Sequence, residues 1–418
     1  MVKDNFISIY LDTRRAKENG KYPVKLRVFT SMPRIQKLYP TTFEFSEKEF
    51  NSIWETAKPR KEHKSLRQAL KAVEVQAVEI ADALTPFSFE LFEKRLFRKA
   101  GDGVRVSYHY NQINKDKIKR KEIGIASNYQ CSQKSLRRFV EATGRGKFEN
   151  LTLFDITPNW LGDYEQFMTD SGRTLSTVGV YLRPLRAIFN KAIEEKEIDK
   201  DFYPFGKRKY QVPSSTKVKK ALNKEQLKTL YTSTPQNNQQ QKAKDFWFFS
   251  YFCSGMNTKD IAELRFKDIE DDKIHFIRAK TKRTTKGQSK HVTVYLNEFA
   301  SNFIKQYGNE DTSPDNLVFN IISDNQSETE QHNSKNNFNR LLGQHLKRLC
   351  KSIGLPETIS PNWARHTFAT NAVINKGATK DFIQEALGHG SKATTERYFA
   401  GFDDDTKKEF AKSLLEFD

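Results

Sequence analysis

The sequence predicts an α+β fold that is mainly α, in three domains: a small N-terminal β-sheet module, a helical domain, and an α-rich domain holding a β-hairpin. Three observations lead there. At 418 residues the chain is too long for one ordinary core. Strand-like runs of aromatic and β-branched residues are confined to the N-terminus and to one later hairpin, while apolar residues elsewhere recur at helical spacing. These periodic stretches are broken by Thr85-Pro86, by Gly101-Asp102-Gly103, and by a basic run from Gly206 to Lys220. The expected boundaries are therefore 1–86, 87–205, a linker over 206–220, and 221–418.

In chain order, Phe6 to Asp12, Tyr22 to Phe29 and Arg34 to Phe45 read as a three-stranded sheet, separated by Gly20 and by Ser31-Met32-Pro33. Arg14, Arg15, Lys17 and Lys21 lie in its first turn. Such charge either keeps a sheet edge soluble or lays the sheet against a polyanion. Ser46 caps the next helix, and a longer amphipathic helix runs to Leu84. Helices are expected over Ser132 to Glu141, Thr157 to Met168 with Pro158 in its first turn, and Leu175 to Glu194. Leu185, Ile188, Phe189 and Ala192 make the core stripe of the last. Its outer face carries Arg183 and Arg186, a charge run that by itself reads as a solvated face.

Lys207 and Arg208 open the linker, which has no apolar periodicity. Asn223 is the N-cap that starts the last domain. Asp245 to Asp268 reads as an apolar helix, a break at Gly255, and a second helix. Lys273 to Ala279 and His291 to Leu296 form a hairpin around a cationic tip, RAKTKRTTKGQSK. Asn309 to Lys335 is polar apart from LVFNII and reads as a loop-rich insertion, followed by a helix over Asn336 to Ile353. The tail DDDTKKEFAKSLLEF makes one last amphipathic helix.

Composition narrows the function. A net charge of +19 and a pI near 9.5 call for a polyanionic partner, because each phosphate neutralised by Lys or Arg releases counterions. The basic residues are spread along the chain, unlike the single cationic amphipathic helix of a membrane-surface protein. No window reaches the length of a membrane span, and MVKDNFISIYLDTRR lacks the apolar region of a secretory signal. Cys131, Cys253 and Cys350 are odd in number and far apart, which excludes a disulfide framework and a Cys-x-x-Cys metal site. A cytoplasmic, nucleoid-associated protein is expected, with no membrane contact.

The richest stretch is PNWARHTFATNAVINKGATKDFIQEALGHGSKATTERYF, Pro361 to Phe399. Trp363 to Lys376 is helical and stops at Gly377; Thr379 to Leu387 repeats the pattern and stops at Gly388; Ser391 can cap a third short helix bearing Tyr398. Two helices joined at a glycine also describe a helix-turn-helix, in which Tyr398 is only a packed aromatic.

ARHTFAT, then LGH, then a tyrosine nine residues past that histidine resembles the C-terminal signature of the tyrosine recombinases, the phage integrase family. The YLDTRR and GKYPVKLRV runs are similar to the arm-site-binding module of Bacteroides-type members. The resemblance implies an arm-type DNA-binding domain, a helical core-binding domain and a catalytic domain. It further implies Tyr398 as the nucleophile forming a 3′-phosphotyrosine, Arg365 as the second catalytic arginine, His389 at the His or Trp position, and Lys280 as the hairpin lysine. Two positions depart from the pattern: Asn257 stands where the first arginine is expected, and Asn362 replaces the His of His-x-x-Arg. Arg278, of the RAKT run, is the expected substitute for the missing cation and Arg283 the runner-up; Lys282 and Arg283 are otherwise phosphate contacts. His366 is expected to be a buried structural histidine.

The chemistry suits these residue types. A phenol with a pKa of about 10 attacks poorly unless cations hold the phosphate and an acid protonates the leaving oxygen. Arg365 can clamp two oxygens, His389 can add a donor, Asn362 can still donate, and a desolvated Lys280 can act as the acid. No cofactor is needed and no carboxylate cluster for magnesium is visible. Double-stranded DNA at attachment sites is the expected substrate, with a homotetramer on two duplexes and an accessory DNA-bending protein as partners. Two alternatives stand beside a recombinase: a catalytically impaired DNA-binding protein of this fold, and a type IB topoisomerase-like strand relaxer.

Overall fold

The computed structural model describes residues 5–84, 86–99, 101–214, 221–279, 291–396 and 408. They form two compact units, one of residues 1–114 with 129–212 and one of 115–128 with 213–418.

The first unit opens with an antiparallel sheet of β1 (Asn5–Leu11), β2 (Tyr22–Thr30) and β3 (Ile35–Phe45) in the order β1-β2-β3. Alternation decides its faces. Ile9, Leu11, Val24, Leu26 and Val28 are buried in one core with Leu70, Ala77 and Ala81 of α2 (Lys64–Asp82). Between them, α1 (Glu47–Phe50) starts at a capping box in which Ser46 and Glu49 each bond the other's backbone N–H. The core does not end at the expected boundary of 86. Phe92 of α3 (Phe89–Leu96) is buried in it, with Phe87, Phe89, Leu91 and Leu96 packed around it. Proline and glycine mark where a chain can bend, whereas a core ends where the apolar periodicity ends.

A second core is built from α4 (Val106–Lys119), α5 (Ile123–Ala142), α6 (Pro158–Asp170) and α7 (Leu175–Glu194). Thr157 and Thr174 cap α6 and α7, and Leu182, Leu185, Ile188, Phe189 and Ala192 are buried along α7. Ion pairs join the end of α3 to the end of α7: Lys94 to Glu195, and Arg98 to Glu197 at 2.7 Å.

The second unit begins with α8 (Lys224–Thr232), which has a capping box between Asn223 and Gln226. At its centre is α9 (Asn238–Phe252), whose consecutive Phe246, Trp247, Phe248 and Phe249 are all buried, as a helix surrounded by others requires. After it come α10 (Thr258–Glu263) and an antiparallel sheet of β4 (Ile269–Glu270), β5 (Lys273–Ile277) and β6 (His291–Tyr295), order β4-β5-β6. α11 (Glu298–Tyr307) and α12 (Glu328–Ser352) follow, then α13 (Pro361–Lys376), α14 (Lys380–Ala386) and α15 (Lys392–Glu396). α12 starts eight residues before the expected Asn336. A polar run without apolar periodicity reads as a loop, yet Glu, Gln, Lys and a capping box suffice to make it helical: Ser327 accepts from Glu330 N, and Glu330 accepts from Ser327 N at 2.8 Å. The hairpin tip, the tail helix and most of the linker's second half lie outside the described residues. Among the described residues no helix is long and apolar enough to cross a membrane.

Ser327→Ala removes this cap, and we expect a loss of about 1 kcal/mol in a urea melt. An unchanged midpoint would show that tertiary contacts alone hold the first turns of α12.

Candidate active site

Arg365 sits one turn into α13, which Pro361 opens in the first-turn position that tolerates a missing N–H. Trp247 Nε1 donates to Ser360 O at 3.2 Å and thereby anchors the start of α13 to the central helix. Arg365 is 2 % exposed. Its Nη1 donates to Gly255 O at 2.8 Å, and its Nη2 donates to Leu387 O at 2.5 Å and faces His389 Nε2 at 3.1 Å. With Nε2 accepting, the neutral ring carries its proton on Nδ1, which lies 3.0 Å from Thr395 Oγ1 and donates to it. His389 is itself buried.

Two glycines make this closeness possible. Gly255, at φ +69°, lies so near α13 that a Cβ would sit 2.8 Å from Arg365 Cα. Gly388, at φ +59°, ends α14, and a Cβ there would come within 2.8 Å of Arg278 Cδ and 2.6 Å of Val292 Cγ2. Arg278, just past β5, is buried, and its Nη1 donates to Gly388 O at 3.3 Å. Two guanidinium groups therefore bond to the consecutive carbonyls of Leu387 and Gly388, immediately before His389.

Asp260 of α10 is buried on the same side of the hairpin, and its Oδ1 accepts from Ala279 N at 2.8 Å. Burial pushes its carboxyl above the ordinary range, against the backbone donor at Ala279 and the attraction of Arg278 and Arg365. Sequence reasoning missed it, although a carboxylate three residues after Asn257, facing the same way on a short helix, was a signal. Thr395 and Thr367 were missed too, since a threonine's role as a partner is not written in its periodicity. Thr367 Oγ1 accepts from Leu222 N at 3.1 Å and ties the start of the second unit's chain to α13.

Next to Arg365 opens a pocket of about 220 Å³, lined by Ser250, Met256, Asn257, Thr258, Lys259, Asn336, Asn339, Pro361, Asn362 and Arg365. Asn257 caps α10, its side chain accepting from Lys259 N at 3.1 Å, and Asn362 is exposed at the rim. The structure thus brings Arg365, His389 and Arg278 together, with Asn362 on the adjoining pocket. Lys280, Lys282, Arg283 and Tyr398 lie outside the described residues. His366 is half-buried, not buried as expected, because it stands on the outer side of α13 from Arg365.

In the first unit, Arg14 donates twice to Asp12, at 2.7 and 2.8 Å, and Lys25 pairs with the same carboxylate at 2.6 Å. The Arg14 and Lys25 hydrogen bonds hold Asp12 well below the carboxylate range. Arg14 is therefore partly committed to a surface cluster, while Arg15, Lys207 and Arg208 are simply exposed. Arg183 and Arg186 are exposed opposite the buried stripe of α7. Among the described residues no group of three or more His, Cys, Asp or Glu side chains could hold a metal ion.

The phage integrase family matches residues 220–404, and the phage integrase SAM-like domain matches residues 106–212. A tyrosine recombinase XerD from Halalkalibacterium halodurans is 22% identical over 284 residues, covering 66% of this chain and 88% of that protein. A second XerD, from Listeria innocua, is 24% identical and covers 66% of this chain and 89% of that protein. In three dimensions, the Tn1549 transposon integrase, solved in complex with a circular intermediate DNA, aligns with a TM-score of 0.52 at 17% identity over 74% of this chain and 99% of that one.

Gly255→Ala is expected to destabilise the protein by about 1–3 kcal/mol through backbone strain alone, more once the clash with α13 is added, measured by thermal unfolding. A raised carboxyl in the folded state means that Asp260 contributes stability below its unfolded value of 3.8, and that this contribution fades as pH rises through the higher folded value. The stability gap between wild type and Asp260→Asn should therefore drift in favour of the asparagine variant as pH climbs from 4. A gap independent of pH would show that folding leaves the Asp260 carboxyl unshifted.

Proposed function

Because the chain belongs to the phage integrase family, we propose that it is a site-specific DNA recombinase that cuts and rejoins double-stranded DNA through Tyr398. The observation that supports this reading most is the convergence of Arg365, Arg278 and His389 on one buried turn, 387–389. Fixed cations in a water-poor site stabilise a phosphoryl transition state without reorganising as charge develops.

In the proposed reaction the Tyr398 hydroxyl loses its proton to solvent as its oxygen attacks phosphorus, the new P–O bond forms as the P–O5′ bond breaks, and the leaving 5′ oxygen takes a proton from Lys280. Arg365 clamps the non-bridging oxygens; His389, whose Nε2 accepts from Arg365, holds that guanidinium in place; and Asn362 contributes an amide donor from the rim. Arg278 brings positive charge from the hairpin side, which partly offsets its absence at Asn257. Attack by a 5′ hydroxyl on the phosphotyrosine reverses each bond change, so no nucleotide cofactor is consumed. We assign the sheet module to an arm-type DNA site, with Arg14 and Arg15 at its edge, and the helical domain with Arg183, Arg186, Lys207 and Arg208 to the core site. A homotetramer on two duplexes would exchange strands in pairs, an accessory protein would bend the DNA, and the protein would work in the cytoplasm at the nucleoid.

A nicked suicide duplex bearing the cognate site should trap a covalent protein–DNA adduct with wild type and none with Tyr398→Phe. Absence of any wild-type adduct at low salt would defeat the reading. In the same assay Arg278→Ala should lose about 10²-fold or more in rate, the cost of one oxyanion donor, and more than Arg283→Ala. The reverse order would move the compensating charge to Arg283.

A further inference from the structure

We infer that Lys259 is a second phosphate-binding cation of this active site, meeting the scissile phosphate on the side where residue 257 is an asparagine. The inference rests on the strand-transfer reading above and adds a residue to it.

Asn257 cannot take that part itself, because its side-chain oxygen is held as the cap of α10 by Lys259 N at 3.1 Å. Nor does Arg278 reach this side: its side chain is buried, is bonded to Gly388 O, and does not line the pocket. The pocket wall beside Arg365 is made of neutral groups, chiefly Asn257, Asn336, Asn339 and Asn362, and Lys259 is the one other cation among the described residues that line it. Lys259 is exposed and forms no ion pair with any described residue. Its ammonium also acts on α12, at a histidine outside the pocket lining. Burial first, and then the charges of Lys259 and Lys335, hold His332 of α12 below the ordinary histidine value.

A diester phosphate seated in this pocket would thus lie between a planar guanidinium and a flexible ammonium, with amides to orient it. A compact point charge on a four-carbon stem suits a single non-bridging oxygen, whereas Arg365 provides the two-point clamp. In this way an asparagine at 257 costs the site little charge: the cation is set two residues further along the same short helix.

The test uses full-length protein and nicked suicide duplexes with either a normal phosphodiester or an uncharged methylphosphonate at the cleavage position. Lys259→Gln should form adduct on the phosphodiester about 10²-fold more slowly than wild type, and Lys259→Arg should keep most of the rate. On the methylphosphonate, with no negative oxygen to meet, the Lys259→Gln defect should shrink greatly. Asn257→Arg, added to Lys259→Gln, should restore part of the rate by returning charge to the pocket. Wild-type rates for Lys259→Gln, or an equal loss on both substrates, would overturn the assignment. A wild type that forms no adduct on either duplex would instead defeat the strand-transfer reading on which it depends.

Discussion

Burying a guanidinium costs several kcal/mol unless its donors find acceptors, and in the second unit the acceptors of Arg365 are two main-chain carbonyls far apart in sequence. Gly255 O belongs to the turn between α9 and α10, and Leu387 O to the end of α14. One side chain therefore holds together the turn that leads to the pocket, the helix that carries the arginine, and the turn that presents His389. Gly255 lets the turn approach the backbone of α13 at Arg365, and Gly388 leaves room for the Arg278 side chain beside the same turn. Arg278 repeats the arrangement from the hairpin on the next carbonyl, so the sheet is tied to the same turn. What the chemistry asks for, positive charge fixed in place before substrate arrives, is also what satisfies the fold.

Much of this was legible in the sequence, and the reasons differ by residue. Gly377 and Gly388 announced left-handed turns because few other residues adopt them cheaply, and both have positive φ. Ser46 and Asn223 announced helix starts because their side chains must replace a missing acceptor, and both close capping boxes. Arg365 and His389 were singled out by the resemblance of ARHTFAT and LGH to the family signature. The start of α12 was not, since a polar helix buries too little to leave a periodic trace. The extent of the first core was misjudged for a related reason: Thr85-Pro86 interrupts the chain but not the packing, and Phe92 lies beyond it. Asp260 went unnoticed because its partners, Ala279 N and two arginines, are brought to it only by the fold.

Charge is distributed by function as well as by solubility. The excess of Lys and Arg is not uniformly free to meet a polyanion: Asp12 holds Arg14 and Lys25, and Glu195 and Glu197 hold Lys94 and Arg98 at the junction of the sheet module with the helical bundle. The carboxylates of these pairs are largely buried while their cations stay partly exposed, so the pairs fix local geometry and take those cations out of the free charge. The pocket beside Arg365 is lined differently, by Asn257, Asn336, Asn339 and Asn362 with Lys259 and Arg365 beside them and, among the described residues, no carboxylate.

Gly388 has a consequence for how the sequence can drift. Two unrelated demands meet there, a left-handed backbone and an absent side chain between Val292 and Arg278. Trimming one neighbour would leave the clash with the other and the backbone penalty in place, and an asparagine, which tolerates that backbone, would still collide. No single compensating change elsewhere reopens the position. Position 388 is thus locked to glycine by backbone and packing at once, a tighter constraint than either would impose alone.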